Sequence, residues 1–322
     1  MSLAELLELI ERGIKDQSYG NQPRSLYEPI RYIMSLGGKR LRPLLVQLAY
    51  SLYKSDVEKI TPYAIAVEAF HNFTLLHDDI MDKAPLRRGK KTVHEKWNIN
   101  TAILSGDVML VKVYEMFLSL PESQLKEVLK AFNQCAAEVC EGQQWDMEFE
   151  TRKKVSETEY IEMIRLKTAV LLGFSLELGA ILAGAPSAHR EALKKFGTQI
   201  GIGFQLKDDL LDVYASKNKF GKQVGGDILA NKKTFLLINA LLLAKGKLKA
   251  ELNSWLNAKR FNAAKKVRAV TAIYNQLSIP QMAQQKIDEY FEAAFRELDV
   301  LPPSDQKKSI IAFTKDLVNR QS

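Results

Sequence analysis

The sequence predicts an all-α fold, a helical bundle in a single domain spanning residues 1–322. Two observations carry this. Leucine, alanine and isoleucine recur at three- and four-residue intervals along almost the whole chain, the period of amphipathic helices. Alternating apolar–polar runs bounded by hairpin turns are scarce. The elements follow in order. Leucines spaced among three glutamates give a helix over 2–15, and a second over 23–36 stops at Gly37-Gly38. Helices over 43–53 and 61–82 lead to Pro85, and one over 96–118 leads to Pro121. The next two, 122–150 and 157–183, precede Gly184-Ala185-Pro186. A helix over 188–215 runs towards Gly225-Gly226, and helices over 233–258, 260–277 and 280–297 lead to Pro302-Pro303. The last covers 304–320. Short connections make consecutive helices antiparallel neighbours of one bundle, and there is no low-complexity segment or long linker.

Composition limits the function classes. The chain has 322 residues, 46% hydrophobic, which suffices for a large core. The net charge of +8 suits anionic partners. Much of it lies between Lys245 and Arg268, as expected of a solvated basic surface, and no nucleic-acid motif accompanies it. Cys135 and Cys140, the only cysteines, fit no zinc or redox spacing, and residues five apart do not share a helical face. They read as free thiols in a reducing compartment, which predicts a cytoplasmic protein. Residues 1–12 lack the pattern of a signal peptide. The longest apolar run, Ala169 to Ala185, is interrupted by Glu177 and falls short of the roughly 20 residues of a membrane span, so no transmembrane segment is expected.

Function is concentrated in a repeated pentapeptide, Asp78-Asp79-Ile80-Met81-Asp82 and Asp208-Asp209-Leu210-Leu211-Asp212, each inside apolar sequence. Buried carboxylates stay charged only when paired or metal-bound. Residues four apart share a helical face, so Asp78 projects with Asp82 and Asp208 with Asp212. Oxygen ligands without His or Cys favour magnesium or calcium, and neither pentapeptide has the turn glycine and alternating ligands of a calcium loop. Magnesium takes one or two protein carboxylates and completes its shell with water and phosphate oxygens. Two basic clusters supply the complement. Gly37-Gly38-Lys39-Arg40-Leu41-Arg42-Pro43 combines glycines, which allow close backbone approach, with cations that grip phosphate. Leu86-Arg87-Arg88-Gly89 follows the first acidic motif directly, an arrangement suited to a polyanion held by metal on one side and guanidinium groups on the other. His71, seven residues before Asp78, lies within roughly 20° of the same helical face.

With these residues assembled, the chain resembles the trans-isoprenyl diphosphate synthases, the polyprenyl synthetase family, over about residues 37–234. The resemblance rests on an ordered set: Gly37 to Pro43, His77 to Asp82, Leu86 to Gly89, Gly106-Asp107, Gly142-Gln143 with Asp146, Lys167-Thr168, Phe204 to Asp212, Gly221-Lys222, and Asp227 with Lys232. It implies an all-α bundle around a deep central cavity, a homodimer, and three magnesium ions per active site. Asp78, Asp82 and Asp208 are implied as metal ligands, with Asp212 supporting through water. Arg87, Lys167, Lys222 and Lys232 would hold an allylic diphosphate. Lys39, Arg42, His71 and Arg88 would hold isopentenyl diphosphate, and Thr168 and Gln205 would lie beside the reacting allylic carbon.

The implied activity is head-to-tail prenyl transfer to a short all-trans prenyl diphosphate. The family's chain-length position, five residues before the first motif, is Phe73, with Phe70 three residues further back. Helix counting puts Phe73 about 7.5 Å along the axis from Asp78 but about 140° round, so its role as tunnel floor rests on the resemblance. The first motif has no two-residue insertion and Thr74 is not aromatic, which favours a C20 over a C15 product. Two departures stand out. Asn98 occupies a position where the family often has glycine, and asparagine tolerates the left-handed backbone such a turn needs. Gly203 replaces a common alanine, with no consequence expected. The alternatives are a longer-chain synthase, a class I terpene cyclase, whose second metal motif differs from 208–212, and a non-catalytic subunit of a heteromeric synthase, which typically lacks one acidic motif.

Overall fold

The structure, a computed structural model, describes residues 1–215 and 225–319. Among these the chain forms, in order, α1 (Leu3–Asp16), α2 (Arg24–Ser35), α3 (Leu41–Ser51), α4 (Thr61–Met81), a two-stranded hairpin of β1 (Leu86–Arg87) and β2 (Lys90–Lys91), α5 (Val93–Lys96), α6 (Ile99–Leu118) and α7 (Glu122–Thr151). It continues with α8 (Glu157–Ile164), a π-helical turn (Arg165–Ala169), α9 (Val170–Ala183), α10 (Ser187–Tyr214), α11 (Gly226–Ala230), α12 (Phe235–Leu243), α13 (Gly246–Asn257), α14 (Ala263–Gln276), α15 (Ile279–Glu297) and α16 (Asp305–Asn319). The all-α expectation holds. The helices group into two compact units, residues 1–134 with 174–194 and residues 135–173 with 195–322.

In the first unit α4 is the central element and packs on α1, α3 and α6. It starts with Pro62 in its first turn, where a missing N–H costs nothing. Ala64, Ile65, Ala66, Val67, Ala69 and Phe70 are all buried, so α4 is covered on most sides through its first half. The ring of Phe132 anchors an aromatic cluster beneath it, with centroids 5.1 Å from Phe70, 5.2 Å from Phe117 and 5.8 Å from Phe174. A buried ion pair fixes the glycine-rich loop to α4. Arg40, 3% exposed, donates Nη1–H to Glu68 Oε1 at 2.8 Å, and also bonds Glu11 and the Met34 carbonyl. Glu68 is 2% exposed and accepts a further bond from Asn72.

The second unit is built on a core of Leu236, Leu237, Leu252, Val270, Ile273 and Tyr274, from α12, α13 and α14. α8 opens with a reciprocal capping box in which Glu159 N–H meets Ser156 Oγ and Glu159 Oε2 meets Ser156 N–H, the pattern that places its start at 157.

Several sequence expectations needed correction. The helix expected over 233–258 breaks at Ala244, which is extended, and Gly246, at φ +51°. The apolar period runs straight through this break because Ala244 is itself buried. Between the helices expected over 61–82 and 96–118 the chain forms the hairpin of β1 and β2, which the apolar pattern does not signal. Arg88 and Gly89, both at positive φ, form its two-residue turn, and arginine is an uncommon choice there. Asn98 is not left-handed: its backbone is extended, and its Oδ1 accepts from Thr101 N–H at 2.8 Å, capping α6. Gly203 does have a consequence, since a Cβ there would lie 3.0 Å from the Phe291 ring. Cys135 and Cys140 are free thiols. The helical stretch Glu157–Ala183 is long and apolar enough to cross a membrane, but 83% of its most apolar window is buried within the protein, as in a core helix.

Removing one partner of a buried pair leaves an uncompensated charge. Glu68→Gln is therefore expected to lower the free energy of unfolding by about 3 kcal/mol, measured by denaturant titration.

Candidate active site

Each unit carries one acidic motif, and the two motifs divide their carboxylates in the same way. In the first, at the C-terminal end of α4, Asp79 is buried, Asp78 is partly exposed and Asp82 is exposed. Arg87 grips Asp79 with both prongs of its fork, Nε to Oδ2 at 2.8 Å and Nη2 to Oδ1 at 2.7 Å, while Asp78 Oδ2 lies 3.8 Å from Nη2. Burial raises the Asp79 pKa and the Arg87 guanidinium opposes that rise. The pair fixes the end of α4, where Asp82 is exposed and Asp78 is only partly so, one of its oxygens being buried, and it commits two of the three nitrogens of Arg87.

The hairpin sends its two arginines apart. Arg87 turns to α4, and Arg88 reaches the carbonyl of Gly37. This contact bears on the second of the paired glycines. Gly38 sits at φ +140°, and a Cβ there would meet the Arg88 guanidinium at 2.8 Å. Arg42 donates to His71 Nε2 at 3.0 Å. An arginine can only donate, so this nitrogen accepts and the ring proton is on Nδ1. Burial, then Arg42, Arg88, Arg87 and Arg40, hold the His71 pKa well below its usual value, so the ring is neutral at physiological pH. His71, Arg42, Arg88 and the glycine loop thus form one cationic cluster, with Lys39 exposed at its edge. Arg40, from the same segment, points into the core. Phe73 is half-buried, its ring 4.8 Å from His77 and 5.6 Å from Phe70, and Phe70 is fully buried.

In the second unit Asp209 is buried, Asp208 exposed and Asp212 half-buried. Asp209 Oδ2 accepts from the Tyr160 hydroxyl and Oδ1 from the Gln205 amide at 3.3 Å. Burial pushes the Asp209 carboxyl up to about 7 against the pull of both donors, and it drives Tyr160 well above its ordinary value, so the phenol keeps its proton. Asp212 takes a structural bond as well: its Oδ2 accepts from Asp227 N–H at 3.0 Å and its carbonyl accepts from Gly225 N–H at 2.7 Å, tying α10 to α11.

The cations of this unit converge on Asp146 of α7. Lys167 Nζ lies 2.6 Å and Lys232 Nζ 3.9 Å from its Oδ2. Burial works to raise the Asp146 pKa, but the two lysines outweigh it and hold it below its ordinary value. Lys167 and Thr168 both lie on the π-helical turn, with Thr168 Oγ1 3.5 Å from Gln205 Oε1. π-turns often occur at functional sites. Gly142 makes room for this one, since a Cβ there would lie 2.2 Å from the backbone nitrogen of Lys167. Lys222 lies outside the described residues.

Both motifs offer only carboxylate oxygens, the donor set of a hard cation. Among the described residues, no three His, Cys, Asp or Glu side chains gather into a ready-made metal cage. An ion shared with phosphate needs only one or two carboxylates, and Asp78 and Asp82, four residues apart at the end of α4, meet that need. The donor set therefore fits magnesium brought to the protein with a diphosphate.

Residues 23–274 match the profile of the polyprenyl synthetase family. The chain belongs to this family. A geranylgeranyl diphosphate synthase of Methanosarcina mazei is 40% identical over 93% of this chain and 91% of its own length. A geranylgeranyl pyrophosphate synthase of Geoglobus acetivorans is 38% identical over 97% and 95%. A crystal structure of a geranylgeranyl pyrophosphate synthase superposes with a TM-score of 0.95 at 40% identity, covering 100% of both chains. As a polyprenyl synthetase the protein is a prenyltransferase.

The sequence reading missed three contributors to the site: Asp79 and Asp209 as anchors, and Tyr160. Asp79 and Asp209 were in the motifs, but only burial separates them from their neighbours. No sequence signal marks Tyr160, which meets Asp209 from 49 residues away.

Gly142→Ala must displace the π-turn and is expected to lower kcat about a hundredfold with little change in helicity, read by steady-state kinetics and circular dichroism. The depressed pKa of His71 means that the folded protein binds fewer protons than the unfolded chain below pH 6.5. Stability is therefore lost as the pH falls below 6.5, and His71→Gln is expected to flatten that acid-side loss in denaturant midpoints measured between pH 7 and 5.

Proposed function

We propose that the protein condenses isopentenyl diphosphate with allylic diphosphates head-to-tail, in a magnesium-dependent reaction whose favoured product is the C20 geranylgeranyl diphosphate. The observation that carries this reading is the shared design of the two motifs, in which the middle carboxylate is buried and held by the protein while its neighbours are more exposed. Asp78, Asp82 and Asp208 would hold magnesium, three ions per site, with Asp212 in support. Magnesium bound there neutralises charge on the departing diphosphate. Lys167 and Lys232, with Lys222 and the remaining nitrogen of Arg87, hold the allylic diphosphate. Lys39, Arg42 and Arg88 hold isopentenyl diphosphate, and His71 keeps Arg42 in place.

The allylic C–O bond breaks with its electron pair leaving on the diphosphate. Fixed cations stabilise the developing anion electrostatically. The double bond of isopentenyl diphosphate attacks the allylic cation through C4, leaving the positive charge on C3, and a C2 proton passes to the departed diphosphate as its C–H electron pair forms the new C2=C3 double bond. Neutral His71 is not the base, because its Nε2 lone pair is taken by Arg42. Thr168 and Gln205 flank the reacting carbon. Phe73, above the packed rings of Phe70 and Phe132, ends the product tunnel, and the names of the relatives support the C20 assignment.

A homodimer is the proposed assembly. Leu104, Val111 and Leu118, seven residues apart on α6, are 57%, 55% and 61% exposed and form an apolar row suited to a second copy. The two free cysteines support a cytoplasmic location.

The test is product analysis with purified protein, magnesium, isopentenyl diphosphate and each allylic primer from C5 to C15. Geranylgeranyl diphosphate is expected. No diphosphate release with any primer would reject the reading, and a cyclic hydrocarbon from a single diphosphate would select a cyclase. Phe73→Ala is expected to shift products beyond C20, and an unchanged distribution would remove Phe73 from the tunnel floor. Val111→Glu is expected to give a monomer in light scattering.

A further inference from the structure

Lys266 of α14 is wholly buried, at 0% exposed. Its ammonium has no carboxylate partner among the described residues. It donates to Asn231 Oδ1 at 2.7 Å and to the Leu229 carbonyl at 3.3 Å, and lies 4.2 Å from the centre of the Phe261 ring. Burying a lysine without a counter-ion costs stability, and burial lowers its pKa accordingly. A methionine of similar volume would fill the same space without that cost, so core packing does not account for the ammonium.

Both oxygens belong to the end of α11. Asn231 caps this helix in the left-handed conformation, at φ +55°, and its Nδ2 donates to the Leu256 carbonyl at 3.1 Å. The Asn231 side chain is therefore fixed at both ends, to the end of α13 through Leu256 and to α14 through Lys266. The next residue is Lys232. Its N–H bonds the Asp227 carbonyl at 2.9 Å, its carbonyl accepts from Thr234 N–H at 2.9 Å, and its Nζ lies 3.9 Å from Asp146. The Lys266 ammonium thus sets the turn from which Lys232 leaves the backbone.

We propose that Lys266 is a positioning residue for diphosphate binding, acting through Asn231 to aim Lys232. The proposal deepens the reading above and rests on it for the role of Lys232. It predicts coupling: removing Lys266 should matter only while Lys232 is present.

The experiment is calorimetric binding of inorganic diphosphate with magnesium to the full chain, in wild type, Lys266→Met, Lys232→Ala and the double variant. Lys266→Met is expected to weaken binding about tenfold, and the double variant to bind no more weakly than Lys232→Ala alone. Kinetics should agree, with the KM for the allylic diphosphate raised and that for isopentenyl diphosphate unchanged. Asn231→Gly removes the acceptor but keeps a residue at ease in the left-handed region, and it should reproduce the shift if Lys266→Met does not fold. Losses that add in the double variant, or wild-type binding by both Lys266→Met and Asn231→Gly, would overturn the proposal. Coupled diphosphate binding in a protein that makes no prenyl product would uphold it and reject the prenyl-transfer reading instead.

Discussion

Asp79 and Asp209 are the carboxylates on which both motifs depend, and neither is turned outward. Each is buried and held from within its own unit, Asp79 by the forked guanidinium of Arg87 and Asp209 by the phenol of Tyr160 and the amide of Gln205. A carboxylate at the end of a helix can swing through several rotamers. Anchoring the middle one of three fixes the helix end from which the flanking residues extend. The two anchors differ in kind. Arg87 keeps a positive charge beside the first motif, whereas Tyr160 brings none to the second; burial is the main cause that raises both carboxyls, and it pushes Asp209 up to about 7.

The cationic side uses the same economy. Arg40 is spent on Glu68 inside the core, and that buried pair holds the loop from which Lys39 and Arg42 extend. In the other unit the π-turn carries Lys167 because Gly142 lets two backbones come close, and Asp146 collects Lys167 and Lys232. In each case one charged residue, Arg40 or Asp146, is committed to contacts within its own unit that hold the segment or side chains around it. That pattern is the physical content of the ordered motif set, whose short pieces say little singly.

Much of this was legible in the sequence. The apolar period and breaks such as Gly37-Gly38 set most helix limits to within one or two residues, because those signals are local. The candidate site residues were read from spacing and resemblance. What stayed hidden was non-local or carried by one residue's surroundings. Four-residue spacing cannot tell Asp79 from Asp78, since burial is decided by elements elsewhere in the chain. The split at Ala244 went unseen because the apolar period continues across it. Asn98 was read through its tolerance of left-handed backbone, yet its value as a helix cap decided its conformation. Lys266 looked like one more cation in a basic surface, and only its zero exposure sets it apart.

The central claim is that the outer carboxylates meet magnesium and the middle ones hold the protein. The magnesium concentration giving half-maximal product formation tests it most directly, compared across Asp78→Asn, Asp79→Asn, Asp208→Asn and Asp209→Asn. Asp78→Asn and Asp208→Asn are expected to raise it about tenfold or more, with kcat about a hundredfold lower. Asp79→Asn and Asp209→Asn are expected to leave it near the wild-type value while changing thermal stability. A rise in the magnesium requirement of Asp79→Asn or Asp209→Asn equal to that of its outer neighbour would contradict the account.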